Sequence, residues 1–94
     1  MTKLQMAKRI AKATGLPTSH VRQVINHFLV EVGVRLEQEG RLELRDFGVF
    51  TVVEHPAYMG RNPRTGQPAA VEAMSKVRFK AGKALSDRLN EDNQ

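Results

Sequence analysis

The chain has 94 residues, with 15 Lys and Arg against 10 Asp and Glu for a formal net charge of +5, and a pI near 10.1. That length holds one domain rather than two, and a domain of this size buries only about 60–65% of the surface its unfolded chain exposes. Cysteine is absent, which excludes disulfides and thiolate metal sites as remedies for a thin core and leaves association with a partner; the basic balance favours a polyanion without specifying one.

Residues Thr2–Thr14 carry Leu4, Met6, Ala7, Ile10 and Ala11 close to helical spacing, and Gly15 stands where that helix should end. The first dozen residues alternate apolar and basic positions and lack the apolar run of a signal peptide. No stretch approaches the ~20 apolar residues of a membrane span, so a soluble cytoplasmic protein is expected. Leu16-Pro17-Thr18-Ser19 leads into a second helix with Pro17 or Thr18 near its start. Val21, Val24, Ile25, Phe28, Leu29, Val32 and Leu36 then form one broad apolar stripe, read as core. Gly33 interrupts it at ~1 kcal/mol of helix propensity relative to Ala, which close packing against another backbone would offset. Glu39-Gly40 closes the helix.

The period then changes to two. Arg41–Arg45 reads as a half-buried strand with Leu42 and Leu44 inward, Asp46-Phe47-Gly48 as a turn, and Val49–Glu54 as a second strand. His55–Pro68 has three prolines, two glycines and no apolar period. Strand character returns weakly at Ala69–Val71 and firmly over Ser75–Lys80. A short helix follows from Gly82 to Leu89 with Ala84, Leu85 and Leu89 inward, and the polar tail from Asn90 should fray. The order predicts an α+β fold: two N-terminal helices, a three-stranded antiparallel sheet with a long hairpin arm, and a short C-terminal helix. The expected body covers residues 1–54 and 75–90 of a single domain, the arm 55–74 and the frayed tail 91–94. So little apolar surface cannot seal a monomer. Phe47, Phe50 and Phe79 would stay partly open in one chain, and a two-fold homodimer would cover them.

Three segments resemble the signature stretches of the bacterial HU/IHF family: Arg45-Asp46-Phe47-Gly48-Val49-Phe50, Gly60-Arg61-Asn62-Pro63-Arg64-Thr65-Gly66 and Phe79-Lys80-Ala81-Gly82-Lys83-Ala84-Leu85. They occur in the family's order with similar spacing across nearly the whole chain. The resemblance implies an intertwined dimer that binds double-stranded DNA through the minor groove, bends or compacts it with little sequence preference, and organises the bacterial nucleoid. HU and IHF are themselves standard examples of architectural proteins that insert apolar wedges between base steps, so the wedge is carried over from the family.

The residues agree with that expectation. Pro63 is rigid, apolar and without an N–H, as a wedge requires. Arg61 and Arg64 flank it and suit the negative potential of a narrow minor groove; Asn62 can reach groove acceptors, while Gly60 and Gly66 permit a tight turn. If Val77 and Phe79 face the core, Lys76, Arg78 and Lys80 line the opposite face as a phosphate-tracking stripe continued by Lys83. A cation at Lys83 opposes the macrodipole of the last helix unless phosphate binds there. Lys3 extends the footprint on the family's pattern.

One departure is marked. The family commonly has several Lys or Arg on the strand entering the arm, but here Val53, His55, Tyr58 and Met59 occupy it and no Lys or Arg lies between Arg45 and Arg61. Tight wrapping along the arms is therefore not expected, and nicked or distorted DNA should be preferred. A site-selective IHF-like bender and a scaffold repurposed for protein interaction are the alternatives. An enzyme is not expected: Ser19, Ser75 and Ser86 lie in no nucleophile motif. His20 and His27 are about 10 Å apart along their helix, and His55 lies in another element, so no metal site is expected. No cofactor, membrane or small-molecule substrate is implied.

Overall fold

The computed structural model describes residues 1–91. Its first helix, α1 (Lys3–Thr14), begins with a capping box: Thr2 Oγ1 accepts from the Gln5 N–H at 3.1 Å, and Gln5 Oε1 accepts from the Thr2 N–H at 2.8 Å. The second, α2 (Thr18–Glu39), follows Pro17. Each helix ends where the sequence indicates, with the N–H of Gly15 donating to Ala11 and that of Gly40 to Leu36.

Five strands follow: β1 (Arg41–Leu44), β2 (Gly48–His55), β3 (Tyr58–Arg61), β4 (Pro68–Val71) and β5 (Met74–Ala81), then α3 (Lys83–Leu89). The order β1-β2-β5 makes an antiparallel three-stranded sheet, while β3 and β4 form a separate two-stranded one. Hydropathy marks no strand at Tyr58–Arg61 because its side chains stand almost entirely in solvent. It is a strand because Pro68–Val71 pairs with it from Tyr58↔Val71 to Arg61↔Pro68. Pro68 opens β4, a position where a missing ladder donor is tolerated.

The interior is very small. Ala7, Ala11 and Val21 are buried where α1 crosses α2, with Ile25 packed against them. The stripe read as core is a core only along that edge, since Val24 is 67% exposed, Phe28 49% and Leu29 51%. Nothing lies within 4 Å of a Cβ built on Gly33, so the expected close packing there is not made inside one chain. The reason is geometric: α1 covers one flank of α2, β1 and β2 pack on another part of it, and no described element covers the face that carries Val24, Phe28 and Leu29.

Leu89 corrects the reading of α3. Leu85 is half-buried, but Ala84 is exposed and Leu89 is 70% exposed, because α3 runs off the end of β5 without a second layer alongside. Asn90, expected to fray, caps α3 through its Nδ2 donating to the Ser86 carbonyl at 2.8 Å. The remaining tail, residues 92–94, lies outside the described residues.

The radius of gyration is 19.1 Å, against about 12 Å for a compact domain of this length. The chain exposes 8241 Å², where a sealed monomer of its mass would expose roughly 5400 Å². An extended arm and an uncovered helix face account for the surplus.

Candidate nucleic-acid interface

The ladder between β2 and β5 sorts side chains onto two faces. Phe50↔Phe79, Val52↔Val77 and Glu54↔Ser75 share one, and Val49↔Lys80, Thr51↔Arg78, Val53↔Lys76 and His55↔Met74 share the other. Lys76, Arg78 and Lys80 thus form a single exposed file, separated by roughly 7 Å steps along the strand. Their cross-strand neighbours Val53, Thr51 and Val49 bring no charge. The positive stripe is therefore one strand wide. On the reverse face, the Ser75 hydroxyl donates to the Glu54 carboxylate, 2.7 and 2.8 Å from its two oxygens.

Two of the motifs meet on the Phe face. The ring centroid of Phe79 lies 5.5 Å from that of Phe47 and 4.8 Å from that of Phe50, both tilted by 45°. Gly48 leaves the space for this: a Cβ there would stand 2.5 Å from Phe79 Cε1 and 2.7 Å from the Lys80 carbonyl oxygen. The Gly82 N–H donates to the Phe47 carbonyl at 2.8 Å. Sequence reasoning treated Gly48 as a turn residue; the turn is Arg45–Phe47, with Asp46 at φ 66°, and Gly48 is buried at the start of β2. The three Phe residues come together as expected and stay partly open, with Phe47 and Phe79 both exposed.

The arm tip is closed by Asn62. Its carbonyl accepts from the N–H groups of Gly66 at 2.7 Å and Thr65 at 3.3 Å, and its Oδ1 accepts from the Arg64 N–H at 2.9 Å. Pro63 holds the position after Asn62, where its fixed φ suits the turn. Gly66 has φ 73°, a conformation side chains resist. Gly60 has another role than turning: it sits within β3, where a Cβ would meet Val71 Cγ2 at 3.3 Å. Arg61 Nη1 donates to the Gly66 carbonyl at 3.3 Å. Asn62 thus spends its oxygen on the turn and leaves its exposed side-chain amide N–H groups without a partner among the described residues, while Pro63 and Arg64 are exposed at the apex.

Lys83 and Lys3 stand apart from the stripe. Lys83 opens α3 and pairs with Asp87 at 2.7 Å, one turn on. That hydrogen bond and charge raise the Lys83 ammonium above the ordinary lysine range, and two of its three N–H donors are left for a phosphate. Lys3 opens α1, and no ion pair or side-chain hydrogen bond engages it among the described residues. His20, His27 and His55 lie in separate places, and no cluster of His, Cys, Asp or Glu able to hold a metal occurs among the described residues. No helix there is long and apolar enough to cross a membrane.

The family model for bacterial DNA-binding proteins matches residues 1–90. Among solved structures, the chain is similar to HU in a DNA cocrystal from Anabaena, with a TM-score of 0.85 and 24% identity over 95% of this chain and 97% of that one. It is also similar to a mutant HU from Thermotoga maritima, with a TM-score of 0.69 and 22% identity over 95% of this chain and 99% of that one.

Proposed function

The chain belongs to the bacterial DNA-binding protein family of HU and IHF, and we propose that it is an architectural protein of the nucleoid that grips duplex DNA as a homodimer. The exposed file Lys76, Arg78 and Lys80 on one sheet face carries this reading. Cations at regular strand spacing suit a phosphate backbone, which positions a protein without specifying sequence. The surplus exposed area and the open face of α2 around Val24 and Phe28 support the dimer.

The arm supplies the second contact. Pro63 wedges between base steps of the minor groove, Arg61 and Arg64 lie along it, and the exposed amide of Asn62 donates to groove acceptors. Unstacking costs a few kcal/mol per step and is offset only by contacts made once the duplex curves toward the body. Here the column Val49, Thr51, Val53 and His55 offers no Lys or Arg, so the offset is small. Intact DNA is bent modestly, and nicked DNA, already compliant, binds more tightly. Lys83 joins through the donors that Asp87 leaves free, and Lys3 contacts the flanks.

The test is a binding series over salt concentration with wild type and Lys80→Ala. If about 5–8 phosphates are neutralised per dimer, log K falls against log salt with a slope of roughly −4.5 to −7. Losing Lys80 from both protomers makes the slope shallower by up to ~1.8 and weakens all sequences alike. Affinity indifferent to salt overturns the reading.

A further inference from the structure

Charge is distributed unevenly along this chain. Lys3, Lys8, Arg9, Lys12 and Arg22 all precede Glu31, the first acidic residue. From there to the C-terminus ten Lys and Arg meet ten Asp and Glu. The formal charge of the first thirty residues thus equals the whole excess of +5, and the cations of the sheet and arm are balanced by acids in the remainder of α2, in the sheet and arm themselves and toward the C-terminus.

Within α1 the excess has a direction. Ala7 and Ala11 are buried against α2, and at 3.6 residues per turn Lys8, Arg9 and Lys12 fall within about 100° of one another, Lys8 on the flank of the buried edge and Arg9 and Lys12 turned away from it. All three are exposed, and none has an acidic partner among the described residues. Arg9 and Lys12 border a shallow depression with Ile10 and Ala13. Among helix-surface cations elsewhere, Arg22 and Arg88 stand singly without an ion pair among the described residues, while others are paired, Arg35 between Glu31 and Glu39 and Lys83 with Asp87. A face kept merely for solubility would be interspersed with acids in the same way.

Because α1 packs on α2, and α2 in turn on β1 and β2, this face lies across the molecule from the β5 stripe. We propose that Lys8, Arg9 and Lys12 form a second DNA-binding surface that holds a separate duplex, so that one dimer bridges two DNA segments. Lys8 and Lys12 are about 6 Å apart along the helix axis, and a strand presents a phosphate every ~3.4 Å of duplex axis, so the trio can follow two or three phosphates. A convex helix face without a deep groove suits that rigid, uniformly charged backbone better than an acidic peptide, which needs side-chain pockets. The inference rests on the proposed function only for the first duplex.

The test uses beads carrying a duplex of about 20 base pairs, far below the persistence length and too stiff to wrap the protein. The beads are saturated with protein, washed, and offered a fluorescent duplex of unrelated sequence. Wild type should capture it, and capture should fall about 40-fold between 50 and 200 mM salt if three phosphates are engaged. The triple variant Lys8→Gln, Arg9→Gln, Lys12→Gln should still load onto the beads and capture at least ~10-fold less, in proportion to the contacts removed. A Lys8→Arg, Lys12→Arg variant should capture as wild type does. Equal capture by the Gln variant overturns the proposal, as does wild type that takes up phosphatidylglycerol vesicles in place of the second duplex. Failure to load onto the first duplex would instead count against the proposed function.

Discussion

The two ends of the β2–β5 ladder are built for opposite purposes. At the end near α3, Phe79 lies over Gly48 between Phe47 and Phe50, and Gly82 is tied to the Phe47 carbonyl. There one added methyl group has nowhere to go. At the end near the arm, Val53 is half-buried and His55 and Lys76 face solvent, with no such constraint. The residues at the two ends thus answer to unlike demands: at the first end to steric fit, at the second to what the surface must touch. Substitutions at the first should alter stability and leave the surface chemistry intact, and those at the second should do the reverse.

The largest effect should come from Phe79→Ala. Truncating this aromatic in the assembled dimer should cost about 3–5 kcal/mol. Thermal melts at two protein concentrations would show it, with the midpoint lower and still rising with concentration as linked association requires. A midpoint independent of concentration would break the dimer reading itself. Gly48→Ala comes next, since its Cβ meets both a ring and a backbone carbonyl oxygen. Overpacking of this kind costs about 1–3 kcal/mol, a fall of several degrees up to ~20 °C in Tm at this size. An unchanged melting curve would show that the two ends are not as different as the packing indicates.

Changes at the arm end should spare Tm. Pro63→Ala should remove most of the preference for nicked over intact duplex while leaving salt-driven affinity for intact DNA nearly unchanged, because only the unstacking of a few kcal/mol per step is at stake. Competition binding with the two duplexes measures this, and an undiminished preference would mean that the arms embrace DNA without wedging. The smallest effect is a gain. Val53→Arg with His55→Arg would widen the stripe to two strands and steepen the salt slope by up to ~3.6 per dimer if all four new charges reach phosphate. Energy transfer between dyes at the ends of a short duplex should then report more bending, and an unaltered signal would show that charge in this column does not limit curvature.

The helices were legible in the sequence because their stops are local: Gly15 and Gly40 end α1 and α2 as the pattern indicates. The Thr2–Gln5 capping box is equally readable from its spacing. Strand β3 was not legible. Its pairing is satisfied by backbone across the arm rather than by burial, so hydropathy carries no trace of it. The stripe Val21–Leu36 shows the converse limit, since periodicity reveals which side chains prefer to be covered but not by which chain. Of the site, the cation file followed from simple alternation once Phe79 was taken as inward. The contact between Gly48 and Phe79 spans 31 positions and could not be read from either segment alone, whereas the pairing of Lys83 with Asp87 is a local one that the i, i+4 spacing on α3 indicates.

The ladder also determines how freely the arm can change. His55↔Met74 is the last rung of the β2–β5 pairing, so residues 56–73 hang from the body as a single closed loop whose ends are already held together. The entropy of closing such a loop grows only logarithmically with its length, about 0.6 kcal/mol for each doubling. Insertions or deletions beyond that rung thus weigh little on whether the body folds. The reach of the arm can therefore be changed at little thermodynamic penalty to the body beneath the rung.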